Sequence, residues 1–205
     1  MTDTDLSRPA PATGGAVVIA DPGPLGLAAF AMTTFVLSCV NAGLLNVGVE
    51  SVVAGLALFY GGTAQFVAGL WEFRQGNTFG ATAFTSFGAF WLAFWGLAHF
   101  FTPTAGLPAS DVNHALGVFL LGWTIFTAYM VVPSLRTTAA IAAVFVALTL
   151  TFLFLALGKF DDSSSLTKVG GWLGLLTALL AWYASFAGVT NATWKRIVLP
   201  VWPLA

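Results

Sequence analysis

The stretch TTAAIAAVFVALTLTFLFLALG, residues 137–158, contains no charged side chain and has no polar face. At a rise of 1.5 Å per residue, about 20 helical residues cross a hydrocarbon core about 30 Å thick. Five more stretches, each at least 21 residues long, are also free of Asp, Glu, Lys and Arg: residues 25–45, 51–71, 78–98, 115–135 and 169–189. The sequence therefore predicts an all-α integral membrane protein with six transmembrane helices in one compact bundle.

Other fold classes do not suit this composition. Only 7% of the residues are charged, whereas a soluble domain carries roughly 25%. A soluble helical protein would need polar helix faces, and a transmembrane barrel would need alternating segments of roughly ten residues. Because the connections are short, we expect one transmembrane transport domain over residues 21–200, preceded by a tail of residues 1–20 and followed by a tail of residues 201–205.

The basic residues predict the orientation. Six spans place both termini on one side of the membrane. That side carries Arg8, Arg74, Arg136, Lys195 and Arg196, and the other carries Lys159 and Lys168. Because cytoplasmic loops hold the excess of Lys and Arg, we expect a multi-pass protein of the cell membrane (plasma or bacterial inner membrane) with both termini in the cytoplasm. The first 20 residues lack a basic run before an apolar core, which indicates a disordered cytoplasmic tail rather than a cleaved signal peptide.

Residue types that carry catalysis or bind metals are scarce. Cys39 is the single cysteine, so no intramolecular disulfide is possible. His99 and His114 flank the loop between the third and fourth spans without a third ligand nearby, which favours interfacial residues over a metal site. The spans hold no Ser–His, Asp–Asp or His-Glu-x-x-His arrangement. We expect no enzyme activity, no cofactor, no metal and, without a basic patch, no nucleic-acid partner.

The second span, which includes FYGGTAQFVAGLWEFRQGNTFG (residues 59–80), combines glycines with a lone amide. Gly55, Gly62 and Gly69 recur every seven residues and predict one small stripe for close helix packing. Gln65 lies three or four residues from Gly61, Gly62 and Gly69, so it is expected to point into the bundle. Two interpretations stay open for Gln65: a structural hydrogen bond between helices, or a polar group on a substrate path.

The first span has a similar face. Its members are spaced by four, four and three residues: Phe30, Thr34, Ser38 and Asn41. Hydroxyls can bond back to their own helix, which is the structural alternative for Thr34 and Ser38. All of these donors and acceptors are neutral, and the acids Asp21, Glu50, Glu72 and Asp111 lie at span ends. A neutral interior suits a small polar or weakly acidic solute, or a passive channel.

Two helix ends carry polar motifs. DPGPLGL (residues 21–27) places Pro22 and Pro24 at the start of the first span, beside a helix N-terminus. GNT (residues 76–78) offers Gly76 to end the second helix and Asn77 or Thr78 to cap the third.

Taken together, these stretches resemble the acetate uptake transporter family, the succinate–acetate permeases of bacteria and fungi. That family opens with Asn-Pro-Ala-Pro-Leu-Gly-Leu where this chain has DPGPLGL, and it carries a long run that matches residues 59–91, FYGGTAQFVAGLWEFRQGNTFGATAFTSFGAFW. Fainter matches follow in LGVFLLGWTIFTAYM, GGWLGLL and VLP.

The resemblance implies a six-helix protomer with its own solute pathway, assembled into a homohexamer in the lipid bilayer, that passes acetate, related short monocarboxylates or succinate. It also implies a constriction formed by Phe30, Phe87 and Leu148. We assign the substrate pathway to Phe30, Thr34, Asn41, Tyr60, Gln65, Phe87 and Leu148, and the cytoplasmic mouth to Asp21, Glu72 and Asn77.

Two positions depart from the family pattern. Relatives often have Tyr where this chain has Phe87, so the constriction is expected to be drier here. Asp21 stands where the family has Asn, and its negative charge is expected to weaken the attraction of an anion to this helix start.

Transport of acetate-like acids, proton-coupled or channel-like, is the leading hypothesis. The alternative is a passive channel for a small neutral solute such as urea, which neutral donors and acceptors would also suit. A third class, a membrane scaffold or sensor without transport, would have no need for polar residues inside the bundle.

Overall fold

The computed structural model describes residues 19–49, 51–101 and 106–204. Within them, six helices are long and apolar enough to cross a membrane: α1 Gly23–Asn41, α2 Val52–Gln75, α3 Thr78–Phe100, α4 Ala109–Ser134, α5 Ala139–Phe160 and α6 Ser164–Trp194. The predicted six-helix membrane fold is confirmed. Most of the predicted N-terminal tail, residues 1–18, and Glu50 lie outside the described residues.

The helices form a ring in sequence order. Each packs against the next along the chain, and α6 closes the ring against α1. The connections α1–α2, α3–α4 and α5–α6 lie at one face, called here the loop face. The two remaining connections and the chain termini lie at the opposite face, the termini face. Consequently α1, α3 and α5 all run from the termini face to the loop face.

Two of the spans change helical type. Phe59–Ala64 within α2 and Leu97–Phe101 at the end of α3 are π-helical. A π-helical turn holds more residues than an α-turn, so it rotates the residues that follow it relative to those before it. The predicted stripe of Gly55, Gly62 and Gly69 is therefore wrong at Gly55, which faces open space.

From the π-helical segment onward, glycines allow α2 to pack closely against its neighbours. A Cβ at Gly69 would lie 2.5 Å from the Thr85 backbone nitrogen on α3, and one at Gly61 would lie 2.5 Å from Thr33 Oγ1 on α1. Helix backbones in a membrane bundle approach this closely only where small residues permit it. This packing holds the middle of α2 against both α1 and α3.

The helix ends follow the predicted caps. Gly76 ends α2 with φ of +77°, and Asn77 caps α3 by accepting a 3.1 Å hydrogen bond from Gly80 N. Past α6, the chain folds back over the termini face: Tyr183 donates a 2.6 Å hydrogen bond to Pro200 O, and Ala139 N at the start of α5 donates to Trp202 O. The predicted boundary of the C-terminal tail at residue 201 stays a prediction.

Candidate functional site

A cavity of about 870 Å³ extends from the loop face to the middle of the bundle. Its rim comes from the α1–α2 and α5–α6 connections, and its deepest lining residues include Phe30 on α1 and Leu148 on α5. Phe30 lies eleven residues before Asn41, and Leu148 lies twelve before Phe160. At 1.5 Å per residue, the cavity therefore reaches about 16 to 18 Å below the helix ends, roughly half of a membrane thickness.

The predicted constriction residues lie together in the apolar centre of the bundle. Phe30, Phe87 and Leu148 are all buried members of one cluster, and the rings of Phe30 and Phe87 are 5.8 Å apart between centroids. Phe87 also contacts rings from α4 and α5: Trp123, Phe126, Phe145 and Phe152. Phe30 and Leu148 line the cavity, whereas Phe87 lies in the ring cluster beyond it.

The polar face predicted for α1 lines the cavity wall. Thr34, Ser38 and Asn41 all contribute to the lining, in order from the constriction to the loop face. Thr34 is buried, and its hydroxyl has no hydrogen-bond partner among the described residues. It therefore does not make the back-bond to its own helix that the structural alternative requires.

Gln65 is 1% exposed, and its Oε1 has no partner in the described part of the chain. The close contacts of Gly61 with α1 and of Gly69 with α3 place it where three helices meet. Tyr60 lies half-buried within the π-helical segment of α2. Neither Gln65 nor Tyr60 belongs to the lining of the cavity, whereas Thr34 and Asn41 do.

The three residues predicted for the cytoplasmic mouth lie together at the termini face. Asn77 Nδ2 donates a 2.7 Å hydrogen bond to Glu72 Oε2, and Asp21 Oδ1 accepts a 2.8 Å hydrogen bond from Gly23 N. A Cβ at Gly23 would lie 3.5 Å from Glu72 Oε1, so the starts of α1 and α3 meet around this carboxylate.

Glu72 is at a span end, as expected, but it is only 2% exposed. Sequence reasoning missed this burial, which depends on the close approach of α3: a Cβ at Gly80 would lie 2.7 Å from Glu72 Cδ. A carboxylate at this depth requires a polar partner, which Asn77 supplies.

Charged side chains occur at the rim of the cavity. Lys159, Lys168 and Asp162 line it, and Asn113 Nδ2 donates a 3.0 Å hydrogen bond to Asp162 Oδ1. His99 also lines the rim, stacked on Trp95 at 4.9 Å between centroids. Among the residues described, no group of three or more His, Cys, Asp or Glu side chains could hold a metal ion.

Several lining residues were not singled out from the sequence. Trp91 lies four residues after Phe87, and Thr151 and Phe152 follow Leu148 by three and four. The helical period would have found them, because residues three to four apart share a face. The two lysines were counted only for orientation, since the sequence does not show that both border one cavity.

The cavity thus has Lys159 and Lys168 at its rim, hydroxyl and amide groups of α1 along its wall, and an apolar cluster with Phe30 and Leu148 at its inner end. The sequence matches the profile of the GPR1/FUN34/yaaH family over residues 8–205. The chain belongs to that family. Two members of the GPR1/FUN34/yaaH family that are named for transport align with most of this chain.

Acetate permease A of Emericella nidulans is 43% identical over 198 residues, which is 89% of this chain and 65% of the relative. The succinate-acetate/proton symporter SatP of Escherichia coli K12 is 38% identical over 187 residues, which is 91% of this chain and 97% of the relative. The chain thus spans about two thirds of the length of its fungal GPR1/FUN34/yaaH relatives.

A solved structure of the bacterial acetate channel SatP has the same fold. The two structures superpose with a TM-score of 0.82 at 37% sequence identity, over 90% of this chain and 99% of that one. The all-helical, six-span architecture of this GPR1/FUN34/yaaH protein is therefore that of a membrane channel, and the protein is a multi-pass membrane protein.

Proposed function

We propose that the protein carries acetate and related short carboxylates, including succinate, across the membrane. The observation that carries this proposal is the 870 Å³ cavity, which extends from two lysines at the loop face to the buried side chains of Phe30 and Leu148. The cavity is far larger than acetate needs, so it serves as a hydrated vestibule. The names of the relatives, an acetate permease and a succinate-acetate symporter, support the same substrate class.

The vestibule selects by charge first. Lys159 and Lys168 are the two lysines of the lining, and Asp162 also lines it. Asp161 and Asp111 lie at the same face, so the positive field that attracts an anion is local to the two lysines. Apolar walls of low dielectric constant focus that field and raise the local concentration of the anion.

The vestibule selects by size and polarity next. Below the mouth, the anion leaves charged groups and meets hydroxyls and an amide on α1 (Thr34, Ser38, Asn41). These groups replace lost water without holding the solute tightly. Phe30, Phe87 and Leu148 then form a dry passage that a short alkyl group can occupy and a bulky charged metabolite cannot.

Gln65 lies at the level of the constriction and Tyr60 lies nearer the loop face, since the adjacent Gly61 packs against Thr33 on α1. From this level the route continues toward the termini face, to the cluster of Asp21, Glu72 and Asn77. The unpartnered Oε1 of Gln65 supports this assignment, because a buried amide oxygen without a partner is costly unless a solute or water satisfies it. We place the cytoplasmic mouth at the termini face, with both chain termini in the cytoplasm, on the balance of basic residues between the two faces.

Self-association into a homohexamer completes the proposal. Large apolar side chains on α4 and α6 point out of the ring, including Val118, Ile125, Val132, Leu179 and Phe186. These faces contact lipid or a second copy of the chain. Each protomer keeps its own pathway, and the protein transports its substrate without chemical conversion.

A passive channel for a small neutral solute such as urea is the alternative function. The neutral hydroxyls and amides of the vestibule would suit urea, but the basic residues at the mouth favour an anion. One relative is named a proton symporter. Accumulation of acetate inside vesicles under a pH gradient distinguishes proton-coupled transport from passive flow of acetate.

The deciding experiment is uptake of radiolabelled acetate into proteoliposomes, with and without an imposed pH gradient, and with urea in parallel. Accumulation driven by the gradient, above that of protein-free liposomes, establishes proton-coupled transport. Faster equilibration without added accumulation establishes a passive acetate channel. Flux of urea without flux of acetate overturns the proposal.

A further inference from the structure

The chain past α6 forms a short strap over the termini face, called here the C-terminal strap (residues 197–204). Lys195 ends α6 with φ of +52°, in the left-handed region, and the chain then reverses. Asn191 holds the beginning of the strap. Its Oδ1 accepts hydrogen bonds from Val198 N at 2.7 Å and from Leu199 N at 3.0 Å, and its Nδ2 donates to Leu199 O at 2.8 Å. The strap therefore has a defined position beside the end of α6.

The far end of the strap is joined to the turn between α4 and α5. Trp202 O accepts a 2.8 Å hydrogen bond from Ala139 N. Leu204 N donates a 3.0 Å hydrogen bond to Thr137 O. The ring of Trp202 also stacks on that of Tyr183 of α6, at 6.0 Å between centroids. The strap, the end of α6 and the α4–α5 turn thus form one continuous surface at the termini face.

This surface exposes large apolar side chains. Ile197 is 81% exposed, and Trp194, Trp202 and Leu204 are also exposed. They continue the apolar outer face of α6, where Phe186 is exposed as well. Because a contiguous apolar patch is rarely left in water, we expect this surface to be covered.

The length of α6 places this surface in the headgroup layer of the membrane. Its 31 residues span about 46 Å, whereas the hydrocarbon core is about 30 Å thick. The ends of α6 therefore extend beyond the core, and the strap lies beside one of them. Trp and Tyr favour this layer, because one part of each ring system is apolar and the other can form hydrogen bonds.

The same surface is basic. The α4–α5 turn and residues 195–204 contain Arg136, Lys195 and Arg196 and no acidic residue. Both arginines are exposed, and the guanidinium of Arg196 lies 5.4 Å from the centroid of the Trp194 ring. A guanidinium presents its N–H donors in a planar fork that matches the oxygens of a phosphate group. A phosphate joined to apolar chains therefore fits both the charge and the apolar side chains of this surface.

We propose that this surface binds anionic phospholipids, with Arg136 and Arg196 contacting the headgroup phosphates and the exposed apolar side chains of the strap lying among the upper acyl chains. The charge selects anionic over zwitterionic lipids, since each basic residue near an anionic membrane surface favours binding about fivefold. The apolar side chains select a lipid over a free phosphate ion. The surface lies apart from the vestibule, so this proposal does not depend on the transported solute.

The test measures the Tm of the protein in detergent micelles that contain dioleoyl phosphatidylglycerol, which is anionic, or dioleoyl phosphatidylcholine, which has no net charge. We expect phosphatidylglycerol to raise the Tm by several degrees more than phosphatidylcholine does. The double variant Arg136→Gln and Arg196→Gln should lose most of this difference, and its apparent Kd for phosphatidylglycerol should rise about 30-fold. The double variant Lys159→Gln and Lys168→Gln, which removes two charges at the vestibule, is the matched control and should keep the difference.

Two further measurements separate lipid binding from structure. Replacing both arginines by lysine, Arg136→Lys and Arg196→Lys, keeps the charges and should recover part of the preference for phosphatidylglycerol, because only the planar fork is lost. Inorganic phosphate at the same concentration should leave the Tm unchanged, because it has no acyl chains. If the glutamine variant does not fold, a reduced lipid preference in the lysine variant decides.

Equal gains in Tm from the two lipids in the wild type, or an undiminished lipid preference in the glutamine variant, overturn the proposal. A gain from inorganic phosphate equal to that from phosphatidylglycerol overturns it as well. Loss of self-association in the glutamine variant, without any lipid preference in the wild type, would mean that a second copy of the chain covers this surface instead.

Discussion

The rings of Phe30 on α1 and Phe87 on α3 face each other with centroids 5.8 Å apart at the floor of the vestibule. Four more rings from α4 and α5 surround Phe87. The side chain at residue 87 therefore contacts α1, α4 and α5 at once. The dryness of the passage therefore depends on which side chain stands at residue 87.

Phe87→Tyr is expected to increase acetate influx several-fold and to reduce the transport of longer alkyl acids relative to acetate. The added hydroxyl supplies a hydrogen-bonding group where a carboxylate loses its water. Competition of acetate uptake by a series of C2 to C5 acids measures the change. Phe186→Tyr, on the exposed face of α6, is the control. An unchanged acid profile would argue against Phe87 lining the constriction.

Gln65→Ala is expected to reduce acetate influx about tenfold, because it removes a polar group at the level of the constriction. The protein should still be folded, which size-exclusion chromatography in detergent checks. Gln75→Ala is the matched control, since Gln75 is exposed and contacts only the backbone of residues 19 and 20. Normal flux in Gln65→Ala would show that this amide serves packing alone.

Glu72→Ala is expected to lower stability by about 1–3 kcal/mol, because the part-buried hydrogen bond that the Glu72 carboxylate accepts from Asn77 Nδ2 would be lost. The thermal midpoint in detergent measures the loss. Gly80→Ala should lower the midpoint as well, since its Cβ would lie 2.7 Å from Glu72 Cδ. The double variant of Glu72→Ala and Gly80→Ala should then lose less stability than the sum of the two single variants. Additive losses of stability would contradict the contact between residues 72 and 80.

Gly69→Ala is expected to destabilise the bundle, because the new Cβ would lie 2.5 Å from the Thr85 backbone. Gly62→Leu should destabilise the bundle more strongly, since the larger side chain would push α2 away from Leu92 on α3. Gly55→Ala is the matched control on the same helix: it meets open space and should be neutral, or stabilise by up to about 1 kcal/mol. Equal thermal midpoints for Gly55→Ala and Gly69→Ala would refute the packing role of α2.

The double variant Lys159→Gln and Lys168→Gln is expected to raise KM for acetate several-fold at low salt, through loss of anion attraction at the mouth. The difference should shrink at high ionic strength, where the charges are screened. Urea permeation, if present, should not change. Lys195→Gln, at the other face, is the control. An effect that does not depend on salt would mean that the lysines act through structure instead.

The six helices and their ends were predictable because a hydrocarbon core imposes its thickness on every span. Residues 137–158 could not occupy any other environment at low free energy, and Gly76 with Asn77 makes the turn between α2 and α3 by local geometry alone. The face shared by Phe30, Thr34 and Asn41 was also predictable, since the helical period is a local property.

The site itself required the tertiary structure. A π-helical turn in α2 removed Gly55 from the stripe that spacing had predicted, because one wide turn rotates everything after it. Thr33 and Thr34 are neighbours with the same side chain, but the Thr33 hydroxyl bonds to Ala29 O and the Thr34 hydroxyl has no partner in the described part of the chain. The burial of Glu72, and the meeting of Lys159 with Lys168 at one mouth, arise from contacts between separate helices. Sequence patterns determine which segments enter the membrane, because lipid acts on each helix alone, whereas the pathway is decided by the surfaces that the helices turn toward one another.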